Sequence, residues 1–409
     1  MSAGDTRTGE HVVLAGFRPV VLQRPVRQEV LLSYKAWLLA TARCAAARTR
    51  SREEAADILA QAQAAVLRFG VSPRHIARRQ FNVLPASESE LGATGSAPVL
   101  PPAFADLAEN PGGATLDRRM RDYGTLASRF FRTWYTDEPH APEHVIHVTC
   151  SGYASPSAAQ RWVSERGWHA TNVTHCYHMG CYAAFPAIRM ALGLLAPSIL
   201  SRQGEKARVD VMHTEYLSAH FDPLLHEPGD IIDSTLFGDG FIGYSAYSER
   251  CWAELGVPGL RLLAQHEVLV PDTLDEMTWT LGPRHFEMYL SKNVPVLLER
   301  ALLPFFRRLC EKAGRDFDAA KRNMIFAIHP GGPKILDHAC ASLALEETQI
   351  RHSRSVFHDL GNMSSATVPH VFERLLADDG VKPGTIIVAA AFGPGLTATG
   401  LVLEKIGTL

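Results

Sequence analysis

Hydrophobic and polar residues alternate with two different periods along most of the chain. Short apolar runs such as His144–Cys150 predict strands, whereas apolar residues spaced three or four apart predict helices. The helical pattern is clearest in Ser51–Gly70, where Ser51 and Glu54 have the spacing of a capping box and Gly70 stands where a C-cap is expected. Strands and helices alternate in two successive runs, which predicts an α/β protein of two similar layered halves.

The two predicted halves meet near residue 250. Residues 1–250 would form the N-terminal half, with a helical extension at its start, and residues 251–409 would form the C-terminal half. Residues 86–113 interrupt the pattern because Ser, Gly and Pro recur there; they predict an ordered surface excursion, part of an entrance or a simple insertion. Further strands are predicted at Val173–Tyr177, Ala207–Tyr216, Phe241–Ser248, Leu260–Val270, Met324–His329, Thr385–Phe392 and Leu401–Ile406, and further helices at Glu29–Arg48, Ser157–Glu165, Tyr182–Leu195 and Glu287–Ala313.

Composition narrows the class of protein. A net charge of −2 over 409 residues argues against a general nucleic-acid binder. The stretch Met1–Glu10 is polar and has no apolar core, and no apolar run approaches the roughly 20 residues that span a bilayer. The seven cysteines form no CxxC pair, so no metal site is predicted. We therefore expect a cytoplasmic enzyme with reduced thiols and no membrane segment.

Cys181 is the first candidate for chemistry. It follows an apolar strand and Gly180, and it opens the helix predicted at Tyr182–Leu195. A thiol at a helix N-terminus lies near the positive end of the helix dipole, which favours the thiolate. Gly180 has no Cβ and tolerates the strained backbone of a sharp turn. Buried structural cysteine is the commoner role, and we interpret Cys176, within the strand, in that way.

Two other polar residues stand at the ends of predicted elements. His329 ends a strand and precedes a Pro-Gly-Gly-Pro turn that would direct it into a cleft; the alternative is a loop histidine that caps a backbone group. Asn362 lies between Gly361 and small residues, where an asparagine caps a helix or donates to a developing oxyanion. With Cys181 they would supply the nucleophile, the activating base and the second donor that acyl transfer requires.

Five ordered motifs connect these residues with a known family. They resemble the motifs of the type III polyketide synthases, the chalcone and stilbene synthase-like enzymes of the thiolase superfamily. The likeness runs from about Tyr123 to the C-terminus, and it is faint before that point. The motifs are Met179–Cys181, Leu236–Gly240, His329–Pro333, Gly361–Ala366 and Phe392–Thr397.

The resemblance implies a fold and a reaction. The fold would be five-layered, αβαβα, in a homodimer. Cys181 would carry an acyl starter as a thioester, and His329 with Asn362 would stabilise the enolate left when a malonyl thioester loses CO2. Coenzyme A or phosphopantetheine thioesters would be the substrates, with an acyl carrier protein left open as a partner. No metal or redox cofactor is implied, because CO2 loss drives the condensation.

Further positions resemble the family's pocket residues. Phe221 and Phe286 correspond to the two phenylalanines that gate the pocket beside the cysteine. Phe392 and Gly393 belong to the loop that shapes the cyclisation pocket, and Ser364, in the asparagine motif, is assigned to the same substrate-binding set.

The elongation cavity would be shaped by Cys150, His220 and Met277. The last two are bulkier than the plant residues at these positions, which favours one or few condensations. Lys334 would lie at the tunnel mouth, where a cation suits the phosphates of coenzyme A or of phosphopantetheine; a solvated surface lysine is the alternative.

Three hypotheses follow for the activity. The first is decarboxylative condensation that gives a β-ketoacyl, pyrone or resorcinol product. The second is a ketosynthase that joins two preformed β-ketoacyl chains without decarboxylation, with carrier-protein dependence as the discriminating property. The third is a non-catalytic partner subunit, which the intact Cys181, His329 and Asn362 argue against; the same asparagine motif makes a hydrolase less fitting.

Overall fold

The structure, a computed structural model, describes residues 10–85, 87–93, 95–201 and 207–407. Almost all of the polar N-terminal stretch that argued against a signal peptide lies outside these residues. Within them, none of the helices is both long enough and apolar enough to cross a bilayer.

Thirteen strands and twelve helices are found in the described ranges. The strands are β1 (Val12–Pro19), β2 (Val26–Arg27), β3 (Arg78–Arg79), β4 (His144–Thr149), β5 (Asn172–Tyr177), β6 (Arg208–Glu215), β7 (Gly240–Ser248), β8 (Gly259–Leu269), β9 (Met277–Leu281), β10 (Phe286–Leu290), β11 (Met324–Ile328), β12 (Ile386–Gly393) and β13 (Thr397–Ile406). The helices are α1 (Gln28–Ala47), α2 (Arg52–Phe69), α3 (Leu116–Trp134), α4 (Ala158–Glu165), α5 (Ala184–Ser201), α6 (Pro228–Leu236), α7 (Glu249–Ala253), α8 (Val294–Lys312), α9 (Phe317–Ala320), α10 (Pro333–Leu343), α11 (Glu347–Leu360) and α12 (Thr367–Ala377).

The main sheet repeats one strand order in its two halves. Its strands follow the order β5-β4-β6-β7-β1-β8-β13-β12-β11. In the N-terminal half, β4 and β6 are parallel, whereas β6–β7 and β7–β1 are antiparallel. In the C-terminal half, β11–β12 are parallel and β12–β13 and β13–β8 are antiparallel. The repeat confirms two similar halves, joined through the β1–β8 pair; their boundary near residue 250 stays a prediction.

Side chains along the strands alternate between two cores. In β4, Ile146 faces a central core and Val145 faces an outer core. In β12, Ala389 faces the same central core and Val388 faces a second outer core. The central core contains α5 and α12. Helices α3 and α4 cover the outer face of one half, and α8 and α10 cover the outer face of the other. The resulting order of helix, sheet, helix, sheet and helix confirms the predicted five-layered packing.

Most of the predicted elements are present, and the predicted start of one helix was wrong. The helix predicted at Glu287–Ala313 begins only at Val294. Residues before it form β10, which pairs with β9 in an antiparallel hairpin that the sequence did not predict. The reason is local, because Phe286–Leu290 has the alternation of a strand, and Pro295 in the first turn of α8 favours a helix start there.

Residues 95–113 of the irregular segment contribute to the core. Phe104 is fully buried, and its ring lies 5.8 Å from that of Phe221. Gly113 (φ +81°) approaches the same ring so closely that a Cβ there would lie 2.4 Å from it. The segment therefore supports the wall on which Phe221 sits.

Candidate active site

The turn after β5 presents Cys181. Gly180, just before it, has φ +79°, and a Cβ at this position would lie 2.4 Å from Cδ of Pro394. Glycine is therefore required both by the left-handed backbone and by the close approach of Pro394. A short 3-10 turn follows and leads into α5, so that Cys181 lies partly buried at the N-terminal end of that helix.

Cys150 holds this turn in place. Its Sγ accepts a hydrogen bond from the N–H of Gly180 at 3.0 Å and lies 3.2 Å from the carbonyl oxygen of the same residue. Trp279 donates from Nε1 to the carbonyl oxygen of Cys150 at 2.6 Å. Cys150 thus lies in the wall of the cavity, as the resemblance implied, and it also fixes the backbone that carries Cys181.

Asn362 and His329 converge on the same turn from the C-terminal half. The side chains of Ser364 and Asn362 lie close enough to the thiol of Cys181 to influence its pKa. Nδ2 of Asn362 donates to the carbonyl oxygen of Gly331 at 3.3 Å, while Oδ1 accepts from the N–H of Ser364 at 2.8 Å. His329 stands two residues before Gly331 at the end of β11. The structure therefore places Asn362 beside Cys181, and His329 lies two residues before the carbonyl oxygen that Asn362 contacts.

Both ring nitrogens of His329 are buried without a hydrogen-bond partner among the described residues. Burial lowers the pKa of this imidazole to about 3, so it is neutral at physiological pH. A buried histidine with no partner is costly unless a ligand or a reacting group uses it. This arrangement is the strongest structural indication that His329 acts on something in the site.

Burial opposes the thiolate that the position of Cys181 predicts. Burial raises the pKa of the thiol to about 12, and the nearby Glu215 acts in the same direction, against the hydrogen bonds from Ser364 and Asn362. Desolvation disfavours the charged form of the thiol. Cys176, interpreted as structural, is buried in the central core, and burial raises the pKa of its thiol to about 12 as well.

A cavity of about 450 Å³ opens in front of Cys181. Its walls include Phe221, Phe286, Cys150, His220, Met277 and Ser364, all predicted from the sequence. The other predicted positions lie elsewhere. Phe392 is buried in the C-terminal outer core, Gly393 packs against the ring of Tyr182, and Lys334 is exposed in the first turn of α10.

His220 fastens the β9–β10 hairpin to this wall. Its Nε2 donates to the carbonyl oxygen of Ser151 at 2.8 Å, and its Nδ1 accepts from the N–H of Phe286 at 3.0 Å. The imidazole also stacks on the Phe286 ring, with 4.2 Å between centroids. Both nitrogens are used, so His220 positions the hairpin and narrows the cavity with a rigid side chain.

Several residues of the site were missed by the sequence reasoning. Glu215, fully buried, accepts from the N–H of Cys150 at 3.0 Å and from the hydroxyls of Ser151 (2.8 Å) and Ser365. The only sequence signal for it is a carboxylate at the end of an apolar strand. Other unpredicted residues in the wall are Phe237, Trp279, Asp222, Arg284 and Asp233.

The C-terminal half contains His329, Asn362 and Pro394, and most of it matches a known family. Residues 261–407 match the family described as chalcone and stilbene synthases, C-terminal domain. The matched segment contains His329, Asn362 and the β9–β10 hairpin of the cavity wall, and the remaining part of the chain supplies Cys181.

Known relatives of the chain confirm its resemblance to type III polyketide synthases. The chain is 29% identical to 1,3,6,8-tetrahydroxynaphthalene synthase of Streptomyces coelicolor over 255 residues, which are 62% of this chain and 64% of that protein. It is 26% identical to type III polyketide synthase A of Arabidopsis thaliana over 268 residues, 64% of this chain and 66% of that protein. The matched segments thus span just under two thirds of these relatives' own length.

Solved structures confirm the predicted fold along nearly the whole chain. PKS-I from the brown alga Ectocarpus siliculosus superposes with a TM-score of 0.79 at 20% identity, covering 98% of this chain and 100% of that one. The tetrahydroxynaphthalene synthase of Streptomyces coelicolor gives 0.71 at 24% identity, covering 97% and 100%. At these identities the likeness establishes the architecture.

Proposed function

We propose that the protein is a condensing acyltransferase of the type III polyketide synthase kind. The observations that carry the proposal are Cys181 in the wall of a cavity of about 450 Å³, Asn362 beside its thiol, and a buried, unpartnered His329 two residues before the carbonyl oxygen that Asn362 contacts. The activities named for the relatives support the proposal.

The first step loads the starter on Cys181. Neutral His329 takes the thiol proton as the sulfur attacks the carbonyl of an acyl thioester, and the leaving thiol, coenzyme A or phosphopantetheine, takes that proton back. A base beside the nucleophile is needed because the resting thiol has a pKa of about 12. The product is an acyl group bound to Cys181 as a thioester.

The second step extends the acyl group. A malonyl thioester loses CO2 while its carbonyl oxygen accepts hydrogen bonds from Asn362 and from the imidazolium or imidazole of His329. The carbon of the resulting enolate forms a bond with the acyl carbonyl, and the sulfur of Cys181 leaves. The chemistry needs no metal or redox cofactor, and the product is a β-ketoacyl thioester, a pyrone or a resorcinol.

The shape of the cavity favours few extensions. His220 is fixed by two hydrogen bonds and Trp279 by one, so neither side chain can move aside without losing a buried partner. A homodimer belongs to the proposal as a prediction from the resemblance, with an acyl carrier protein left open as the donor, and a cytoplasmic location belongs to it as a prediction from the composition.

Carboxyl-labelled malonyl-CoA tests the proposal. We expect the protein, supplied with an acyl-CoA, to release labelled CO2 and to form a product longer by a two-carbon unit. Asn362→Leu should lose decarboxylation while Cys181 can still be acylated. A product formed from two acyl chains without CO2 release would favour the ketosynthase that joins preformed chains, and absence of any product with coenzyme A and carrier-protein thioesters would refute the proposal.

A further inference from the structure

The motif Leu236–Gly240, which the sequence singled out, has no part in the proposed chemistry, yet it contacts the backbone of Asn362. Phe237 and Asn362 form an isolated parallel bridge. The N–H of Asn362 donates to the carbonyl oxygen of Leu236 at 3.1 Å, and the carbonyl oxygen of Asn362 accepts from the N–H of Gly238 at 2.9 Å. The motif therefore fixes the backbone of Asn362 through both of its polar groups.

Arg79, on β3, completes the C-terminal end of α6 beside this bridge. The last carbonyl groups of a helix have no partner within the helix and need donors from elsewhere. Asn362 supplies the donor for Leu236, and Nη1 of Arg79 donates to the carbonyl oxygens of Ser234, at 3.3 Å, and of Phe237. A cation here also opposes the negative end of the helix dipole. Arg79 therefore holds the backbone on both sides of the carbonyl group that receives Asn362.

A second contact joins Arg79 to the asparagine motif directly. Gly361 has a φ of +73°, and a Cβ there would lie 2.8 Å from Cδ and 3.0 Å from Cγ of Arg79. A Cβ at Gly238 would lie 3.2 Å from Cβ of Arg79. The stem of the arginine thus packs closely against a glycine next to each partner of the bridge.

Gln28 holds the guanidinium of Arg79 from the other side. Nε of Arg79 donates to Oε1 of Gln28 at 2.8 Å, and Nε2 of Gln28 donates in turn to the carbonyl oxygen of Thr235 at 2.9 Å. Burial lowers the pKa of Arg79 to about 9, against the attraction of Asp239, so the guanidinium is charged at neutral pH. Arg79 and Gln28 together therefore bind three carbonyl groups at the end of α6.

Stability alone does not account for this arginine. Arg79 is fully buried, and its Nη2 has no partner among the described residues. A buried charge with an unpaired donor costs free energy, and replacement of buried ionic groups by apolar side chains is often neutral for stability. The bonds that Arg79 does make all surround the backbone of Asn362, which indicates a role in placing that residue.

We propose that Arg79 is a positioning residue for the condensation: through the end of α6 and its packing on Gly361, it sets the place of Asn362 for decarboxylation and does not act on the loading of Cys181. The inference rests on the proposed function, because it takes Asn362 as the donor to the enolate. It goes beyond that function in giving a role to Arg79 and to the motif Leu236–Gly240.

The two steps are measured separately in each variant. Intact mass follows acylation of Cys181 with butyryl-, hexanoyl- and octanoyl-CoA, and labelled CO2 reports decarboxylation of carboxyl-labelled malonyl-CoA. Arg79→Met keeps an apolar stem and removes the cation; kcat for CO2 release should fall on the order of a hundredfold, while acylation stays close to the wild-type rate. The KM for malonyl-CoA should change little, because the displaced donor acts on charge that develops in the transition state. Arg79→Lys, which restores a cation, should recover part of the CO2 release.

Two further variants separate positioning from a general loss of stability. Arg208→Met removes another largely buried guanidinium, which pairs with Asp210 and Glu138 at the start of β6, and it should leave the ratio of CO2 release to acylation unchanged. Gln28→Met removes the acceptor that orients Arg79 and should lower the same ratio by a smaller factor than Arg79→Met. Gln28→Met also carries the test if Arg79→Met does not fold.

The outcomes distinguish this inference from the proposed function. A fall in CO2 release that exceeds the fall in acylation, with Arg79→Lys between the wild type and Arg79→Met, supports the role of Arg79. Proportional loss of both steps, or no loss in either, would overturn that role while the proposed function stands. Retention of CO2 release by Asn362→Leu, or failure of every thioester to acylate the folded wild type, would overturn the proposed function and this inference with it.

Discussion

Glu215 is the buried group whose titration the structure predicts most sharply. Its carboxylate is fully buried and accepts hydrogen bonds from the N–H of Cys150 and from the hydroxyls of Ser151 and Ser365. Burial nevertheless outweighs these bonds and raises its pKa from the usual 4.5 to about 7. Substitution of Glu215 by Gln keeps the shape of the side chain and removes the titration.

The sign and size of the effect follow from proton linkage. Between pH 4.5 and 7 the folded protein keeps a proton on Glu215 that the unfolded chain has lost. The contribution of this group to the free energy of unfolding is therefore fully present below pH 4.5 and is lost as the pH rises through 7. A shift of this size corresponds to about 3 kcal/mol. Asp233 titrates in both proteins, so its contribution cancels in the comparison.

Denaturant unfolding of the wild type and of Glu215→Gln across this pH range measures the difference directly. We expect the stability of the wild type, relative to the variant, to fall by about 3 kcal/mol from the acid to the neutral end of the window. Glu90→Gln, on an exposed side chain, is the matched control. A difference between wild type and Glu215→Gln that stays constant with pH would refute the reasoning.

Two further predictions concern the geometry around the site. Gly180→Ala places a Cβ 2.4 Å from Cδ of Pro394 at a φ of +79°, so the rate of acylation should fall about a hundredfold. Gly193→Ala, whose Cβ meets open space in α5, is the control and should leave the rate unchanged. Equal rates for the two variants would contradict the structural role of Gly180 in the turn that carries Cys181. His220→Leu leaves the carbonyl oxygen of Ser151 and the N–H of Phe286 without this partner. The free energy of unfolding, measured by denaturant titration, should therefore fall by about 2–4 kcal/mol. A loss below about 1 kcal/mol would show that the hairpin does not depend on this side chain.

Apolar periodicity made much of the fold predictable. Ser51 caps α2 by accepting from the N–H of Glu54, as its spacing predicted, and the strands at β4, β7 and β12 lie within a residue or two of their expected bounds. The β9–β10 hairpin escaped prediction because a short strand next to a helix start has the same apolar content as a longer helix.

The site was only partly predictable for a different reason. Cys181 and Asn362 could be identified because each stands in a short motif at the end of an element. Glu215 could not, because its role depends on contacts with residues far away in the sequence, such as the Ser365 hydroxyl. The resting protonation of Cys181 was also beyond the sequence, since it depends on burial in the folded cavity.

Acylation of Cys181 is the central claim, and intact mass measurement after incubation with a panel of acyl-CoAs tests it most directly. We predict one acyl adduct on the wild type and on Cys176→Ala, whose thiol is buried in the central core, and no adduct on Cys181→Ala. An adduct that persists without Cys181, or an absence of adducts on folded wild type with both coenzyme A and carrier-protein thioesters, would contradict the claim.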